Sequence, residues 1–168
     1  LPKIEVSYGF KAGPAGLTLM GLYNTFDVVD ATDKEEGVDS YLVGAAFNID
    51  LAPAYVKGDV WIGENLGNTS MWQEGHAGAG GSMTDIEDND SMGYLILVGF
   101  KASDKITFEA GYGYAEHDRD DFTTEDDVSA YYVNATINLA KGAFIVPEIG
   151  VVDYGDDTTG ADEGDNTY

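Results

Sequence analysis

Hydrophobic and polar residues alternate along most of this chain. Ile4, Val6, Tyr8 and Phe10 alternate with Glu5, Ser7, Gly9 and Lys11. The same period of two runs from Tyr41 to Ile49, Ala54 to Ile62, Ile106 to Tyr114 and Tyr131 to Leu139. That period puts successive side chains on opposite faces of a strand, so each segment has one apolar and one polar face. Residues 17–27 and 92–102 are apolar with weaker alternation. Residues 143–153 complete the set and carry Pro147, which fits only where no ladder bond is required of its nitrogen. No segment shows a helical period. The pattern predicts an all-β chain of eight strands, at about 3–11, 17–27, 39–50, 54–63, 92–102, 105–115, 128–139 and 143–153.

The connections alternate short and long. Short turns fall at residues 12–16, 50–53, 103–104 and 140–142; long polar connections span about 28–38, 63–91, 116–127 and 153–167. In an antiparallel meander this gathers every tight turn at one end and every long loop at the other, as in an up-and-down transmembrane β-barrel. The strands, roughly 8 to 12 residues each, suit the ~9–11 residues that cross a bilayer at a tilt. A soluble β-sandwich would turn the apolar face to its core and the polar face to water. A barrel turns the apolar face to lipid and the polar face to the lumen. Tyr8, Tyr23, Tyr41, Tyr55, Tyr112 and Tyr114 lie near strand ends, as expected of interfacial girdles.

Composition sharpens this. The 168 residues include 31 acidic and 8 basic side chains, a formal net charge of −23. With one Arg and so little positive charge, nucleic acid is excluded as a partner. The absence of cysteine excludes disulfides and thiolate metal sites. No apolar run is long enough for a transmembrane helix, and Leu1 to Glu5 lacks the make-up of a signal peptide. Of the 31 acids, 25 lie in or beside the four long connections. The strand region is nearly balanced, with Glu5, Asp50, Asp59, Asp104, Glu109 and Glu148 against Lys3, Lys11, Lys57, Lys101, Lys105 and Lys141.

Two stretches carry a family resemblance. One is the hairpin Phe10-Lys11-Ala12-Gly13-Pro14-Ala15-Gly16-Leu17-Thr18; the other is Ile145-Val146-Pro147-Glu148-Ile149-Gly150-Val151-Val152-Asp153-Tyr154-Gly155-Asp156-Asp157. The chain resembles part of a Gram-negative outer-membrane porin, the second stretch resembling a penultimate strand and last external loop. The resemblance covers nearly the whole length as pattern and little of it as motif. It implies passive diffusion of small hydrophilic solutes, commonly through homotrimers, with long loops extracellular and short turns periplasmic. Strand one leads into a short turn, whereas such barrels begin at the turn end, and residues 166–168 look like the start of a descending strand. The expectation is therefore a larger barrel of ten or more strands. Eight strands alone would close a barrel filled by its own side chains.

Candidate pore-lining charges are Lys3, Glu5, Lys57, Asp59, Lys101, Lys105, Glu109 and Glu148. Acidic rings attract cations and repel anions, which gives the expectation of cation preference. The longest connection, 63–91, is expected to fold inward as a constriction, with Asp85, Glu87 and Asp88 narrowing the pore. No enzyme motif is present. Glu109 and Glu148 suggest a glycosidase pair, but lumenal charge explains them better. The only histidines, His76 and His117, lack zinc-ligand spacing and read as solvated loop residues. The glycine-rich run 75–82 lacks the ending of a phosphate loop, and the EF-hand-like start at Asp88 fails at Met92 and Gly99. Asp118, Asp120, Asp121 and Asp126 are weak calcium candidates, so no cofactor is expected beyond opportunistic Ca2+. The alternative function is a non-porous eight-stranded barrel whose acidic loops bind partners or divalent ions bridging to lipopolysaccharide. Membrane lipid is a partner in either case.

Overall fold

The computed structural model describes residues 2–29, 33–69, 79–82 and 85–168. The chain is a single antiparallel meander. Its staves are β1 (Ile4–Ala12), β2 (Ala15–Val29), β3 (Glu35–Leu51), β4 (Ala54–Glu64), β7 (Asn89–Lys101), β8 (Ile106–Arg119) and β9 (Asp126–Ala140). The next stave is split into β10 (Ala143–Ile145) and β11 (Glu148–Asp153), and β12 (Asp165–Thr167) begins another beside it. A separate small hairpin, β5 (Gly80–Ser82) with β6 (Asp85–Glu87), stands in the longest connection. The main sheet runs β1-β2-β3-β4-β7-β8-β9-β11-β12, with β10 also on β9, and it is not closed: β1 and β12 are its edges. The described residues hold one short 3-10 turn, Leu66–Thr69, and no α-helix.

Register explains why both faces stay coherent. Ile49, Val56, Val98, Ala110, Val133 and Ile149 form one cross-strand row over six staves. The row above it joins Phe47, Gly58, Ile96, Tyr112, Tyr131 and Val151. Among the described residues nothing packs over this face: Val98 is 51% and Val133 55% exposed. A β-sandwich would bury such a face under a second layer, and an apolar surface this continuous on a water-soluble domain would drive association.

The four tight turns fall where expected, at residues 13–14, 52–53, 102–105 and 141–142. Gly13 (φ 58°) and Gly142 (φ 80°) occupy left-handed backbone that side chains disfavour. Pro147 interrupts its stave. The Pro147 carbonyl accepts from the Ala135 N–H (3.1 Å), but proline has no N–H to return, so the ladder breaks between β10 and β11.

Five of the long staves outrun the sequence pattern by two residues or more. β2 continues to Val29, β3 starts at Glu35, β7 starts at Asn89, β8 reaches Arg119 and β9 starts at Asp126. Above the apolar band one face carries acids such as Asp39, Asp90 and Glu116 and the other is buried at mostly polar residues, Ser40, Asn89, Ser91 and His117, so hydropathy stops alternating while the backbone ladder continues. Asp27, Glu35, Glu36, Glu116, Asp118, Asp126 and Asp127 therefore stand on strands, not in loops.

The small core sits on the polar face. Leu66 packs with Leu22 and Leu42, flanked by Met20 and Trp61. Asn65, in left-handed backbone at φ 52°, makes the turn that delivers Leu66. Its amide Nδ2 donates to the Asp39 carbonyl and to Asp88 (both 2.8 Å), and its Oδ1 accepts the Asn89 N–H (2.9 Å). Gly63 leaves the space, since a Cβ there would lie 2.8 Å from a Leu66 methyl. Leu66→Ala is expected to weaken this docking by about 2–5 kcal/mol. Limited proteolysis between Glu64 and Asn89 should then be faster than in the parent, with the rest of the sheet equally resistant.

Candidate functional site

The polar face divides into two zones along the strands. Toward the tight turns, one row joins Asp50, Tyr55, Gly99, Glu109, Asn134 and Glu148 across β3, β4, β7, β8, β9 and β11. The Tyr55 hydroxyl donates to Glu109 Oε2 (2.7 Å), and the Tyr132 hydroxyl donates to Glu109 Oε1 (2.8 Å). Two glycines permit this. Tyr55 lies across Gly99 and Tyr132 across Gly111, where any Cβ would collide with the rings. An aromatic ring laid over a strand glycine restores the packing that the glycine lacks. Beside this group Asn134 Nδ2 donates to Glu148 Oε2 (3.0 Å). Lys57 stands over the Tyr55 ring, its ammonium 4.8 Å from the centroid.

Other sequence candidates are dispersed. Asp59 is half-buried between Ala46 and Leu95 in the register. Lys3 and Glu5 pair with each other at 2.8 Å on the exposed first strand. Lys101 ends β7, and Lys105 lies in the following turn; both are exposed. Among the described residues of the longest connection, Leu66 packs onto the polar face. Asp88 bonds Asn65 at the root of that connection, and Glu87 pairs with Gly80 in the small hairpin. The side chain of Asp85, His76 and residues 75–78 of the glycine-rich run lie outside the described residues.

Three expectations are corrected by the strand faces. Tyr55 belongs to the polar face, because its neighbours Ala54 and Val56 point the other way. Tyr8 and Tyr112 sit within the apolar band, opposite Leu19 and Ile96. Tyr23 and Tyr114 do mark the upper rim: their hydroxyls donate to Asp39 (2.9 Å) and Glu116 (2.6 Å). His117 is buried on β8, with Nδ1 2.7 Å from the Ser91 hydroxyl, and burial lowers its basicity against the pull of Asp126 and Glu116.

The calcium candidates do not converge. Asp121 pairs with Arg119 (2.5 Å), whose guanidinium stacks 3.9 Å from the Phe122 ring centre. Asp126 faces His117, and Asp118 continues the row of Glu64 and Asp90. Among the described residues no three carboxylate or imidazole groups take metal-holding positions. In the last connection Asp157 organises its own turn, accepting from the Thr159 hydroxyl (2.6 Å), the Thr159 N–H (2.8 Å) and the Ala161 N–H (3.0 Å).

No protein-family model matches this sequence, and no curated protein does. The fold is similar to that of bacterial outer-membrane β-barrels. One is outer-membrane expressed OmpT of Vibrio cholerae, with a TM-score of 0.65 and 15% sequence identity over 98% of this chain and 53% of that one. Another is in-vitro folded OmpT, an outer membrane protein of Vibrio cholerae, with a TM-score of 0.61 and 15% identity over 98% of this chain and 50% of that one. The chain spans about half the length of the solved structures it matches.

The acidic end carries internal repulsion. Glu116, then burial, Asp118 and Asp127 push the Glu125 carboxyl above its usual 4.5. Burial, then Asp88, Asp90 and Asp39 do the same to Glu64. In both groups the folded state disfavours the charged form. The destabilisation is complete above their folded-state values and is relieved as pH falls through them toward 4.5. Asp157, held below 3.8 mainly by the Thr159 hydroxyl and then by the Ala161 N–H, keeps its contribution through that window. Amide exchange over residues 116–127, corrected for intrinsic rate, is expected to be slower near pH 5 than at pH 7.

Proposed function

We propose that this chain is part of an outer-membrane porin, a passive channel for small hydrophilic solutes with a preference for cations. The observation that carries the reading is the two-faced sheet. Its apolar rows run across six staves and stand exposed among the described residues, while the opposite face bears Lys57 and Asp59 on β4 and the register row Glu109, Asn134 and Glu148. A bilayer supplies the missing cover for the first face and a water-filled lumen suits the second. Likeness of fold to the two OmpT structures supports placement in a bacterial outer membrane. The acidic connections then face outward and the tight turns face the periplasm. Lipid and lipopolysaccharide are the surroundings, and the homotrimer is the proposed assembly.

Cation preference rests on charge. A net −23, gathered largely at one end of the staves, raises the local cation concentration at the mouth. The reading assigns no catalytic step and needs no cofactor. A second reading, a barrel too filled to conduct whose acidic end serves as a binding surface, draws support from the cluster of Met20, Leu22, Leu42, Trp61 and Leu66 on the polar face.

Planar bilayers separate the two. The expected result is stepwise conductance with a reversal potential of cation-selective sign across a potassium chloride gradient. Anion-selective sign removes the selectivity, and protein insertion without conductance favours the filled barrel.

A further inference from the structure

Glu109 differs from the other charges of the polar face in how it is held. Lys3 and Glu5 are exposed and paired along one strand, and Lys101 and Lys105 sit at a turn. Glu109 has each carboxylate oxygen taken by a different tyrosine, one reaching from β4 across Gly99 and one from β9 across Gly111. Three staves and two glycines are thus committed to fixing one carboxylate. A freely rotating glutamate samples several rotamers and spreads its charge; two directed hydroxyls confine it to one place and orientation. Both tyrosine donors are spent on Glu109, so its negative charge is oriented without a direct ion pair; the cation near the group, Lys57, lies over the face of the Tyr55 ring rather than on the carboxylate. The next carboxylate on the row, Glu148, is steadied by Asn134, again by a neutral donor.

Resting on the porin reading, we propose that Glu109 is the fixed cation-selecting carboxylate of the lumen, with Tyr55 and Tyr132 as its positioning residues. A hydrated monovalent cation is drawn to this point of the wall, and a small anion is turned from it. Neutral donors around a fixed charge supply selectivity that a lysine partner would abolish.

The experiment uses the intact protein in planar bilayers under a potassium chloride gradient, with Glu109→Gln and the double variant Tyr55→Phe/Tyr132→Phe. Glu109→Gln keeps size and one acceptor but loses the charge. The double variant keeps both rings over Gly99 and Gly111 and loses only the two hydroxyls. Glu109→Gln should lower the cation-over-anion permeability ratio roughly two- to fivefold, the reach of one unit charge ~4 Å away across water. The double variant should lower the ratio by a smaller factor at unchanged single-channel conductance, a split that a merely structural role would not produce. Equal thermal melting of the variants and the parent shows that the fold is kept. A cation-selective channel whose ratio is unmoved by Glu109→Gln overturns the proposal while leaving the porin reading intact. A ratio lowered by Glu109→Gln but not by the double variant overturns the positioning role. Absence of any conductance from the parent overturns the proposal and the reading together.

Discussion

Everything in this structure depends on the antiparallel register. Side chains alternate with a period of two, so a slip of one residue between neighbouring staves would carry the whole apolar set of one strand to the opposite face. The row from Ile49 through Val98 to Ile149 exists because six strands keep one register across the apolar band. The same register places Tyr55, Gly99 and Glu109 side by side on the other face. The tight turns set it: residues 13–14, 52–53 and 141–142 are too short to permit alternatives, and Gly13 and Gly142 supply the backbone such reversals require.

The division of labour between faces follows from what each contacts. On the apolar side the main demand is low polarity, with Gly58 the exception, since the Phe47 ring and the Leu95 carbonyl leave no room for a Cβ there. On the polar side positions are specific. Gly93 must be small because the Trp61 indole occupies the space of its missing Cβ, and Gly63 must be small because Leu66 lies on it. Glycine there is a mould for a large neighbour. The turn-side zone uses that mould to hold a charge, and the loop-side zone uses it to seat an apolar anchor for the longest connection.

Much of the fold was legible in the sequence because the apolar face faces one uniform environment, which leaves a clean period of two. The alternation of short and long connections was legible for the same reason. The extension of β3 before Asp39 was not, since acids replace hydrophobes on its outer face and Val38 is the one buried hydrophobe there, too few for a period. Tyr55 was misassigned by nearness to a strand end, although parity with Ala54 and Val56 puts it on the polar face. His117 needed the Ser91 pairing, and pairing is a property of two strands that neither segment displays alone. Leu66 stands among Glu64, Asn65 and Gly67, so no periodicity marked it as an anchor. Of the candidate site, Glu109 was legible as a strand carboxylate, but its two tyrosine partners lie 54 and 23 residues away and only folding brings them to it.

The extension of β8 beyond the apolar band has an electrical consequence. Glu116 and Glu109 ride on the same rigid strand, seven residues apart, which at ~3.3 Å per residue is about 23 Å. That distance exceeds two Debye lengths in physiological salt, each ~8 Å. Wherever water reaches both, Glu116 and the tyrosine-held carboxylate are therefore screened from each other. An odd separation also puts them on opposite faces, Glu109 beside Tyr55 and Tyr132 and Glu116 beside Tyr114, so one strand carries two charged sites that are held independently.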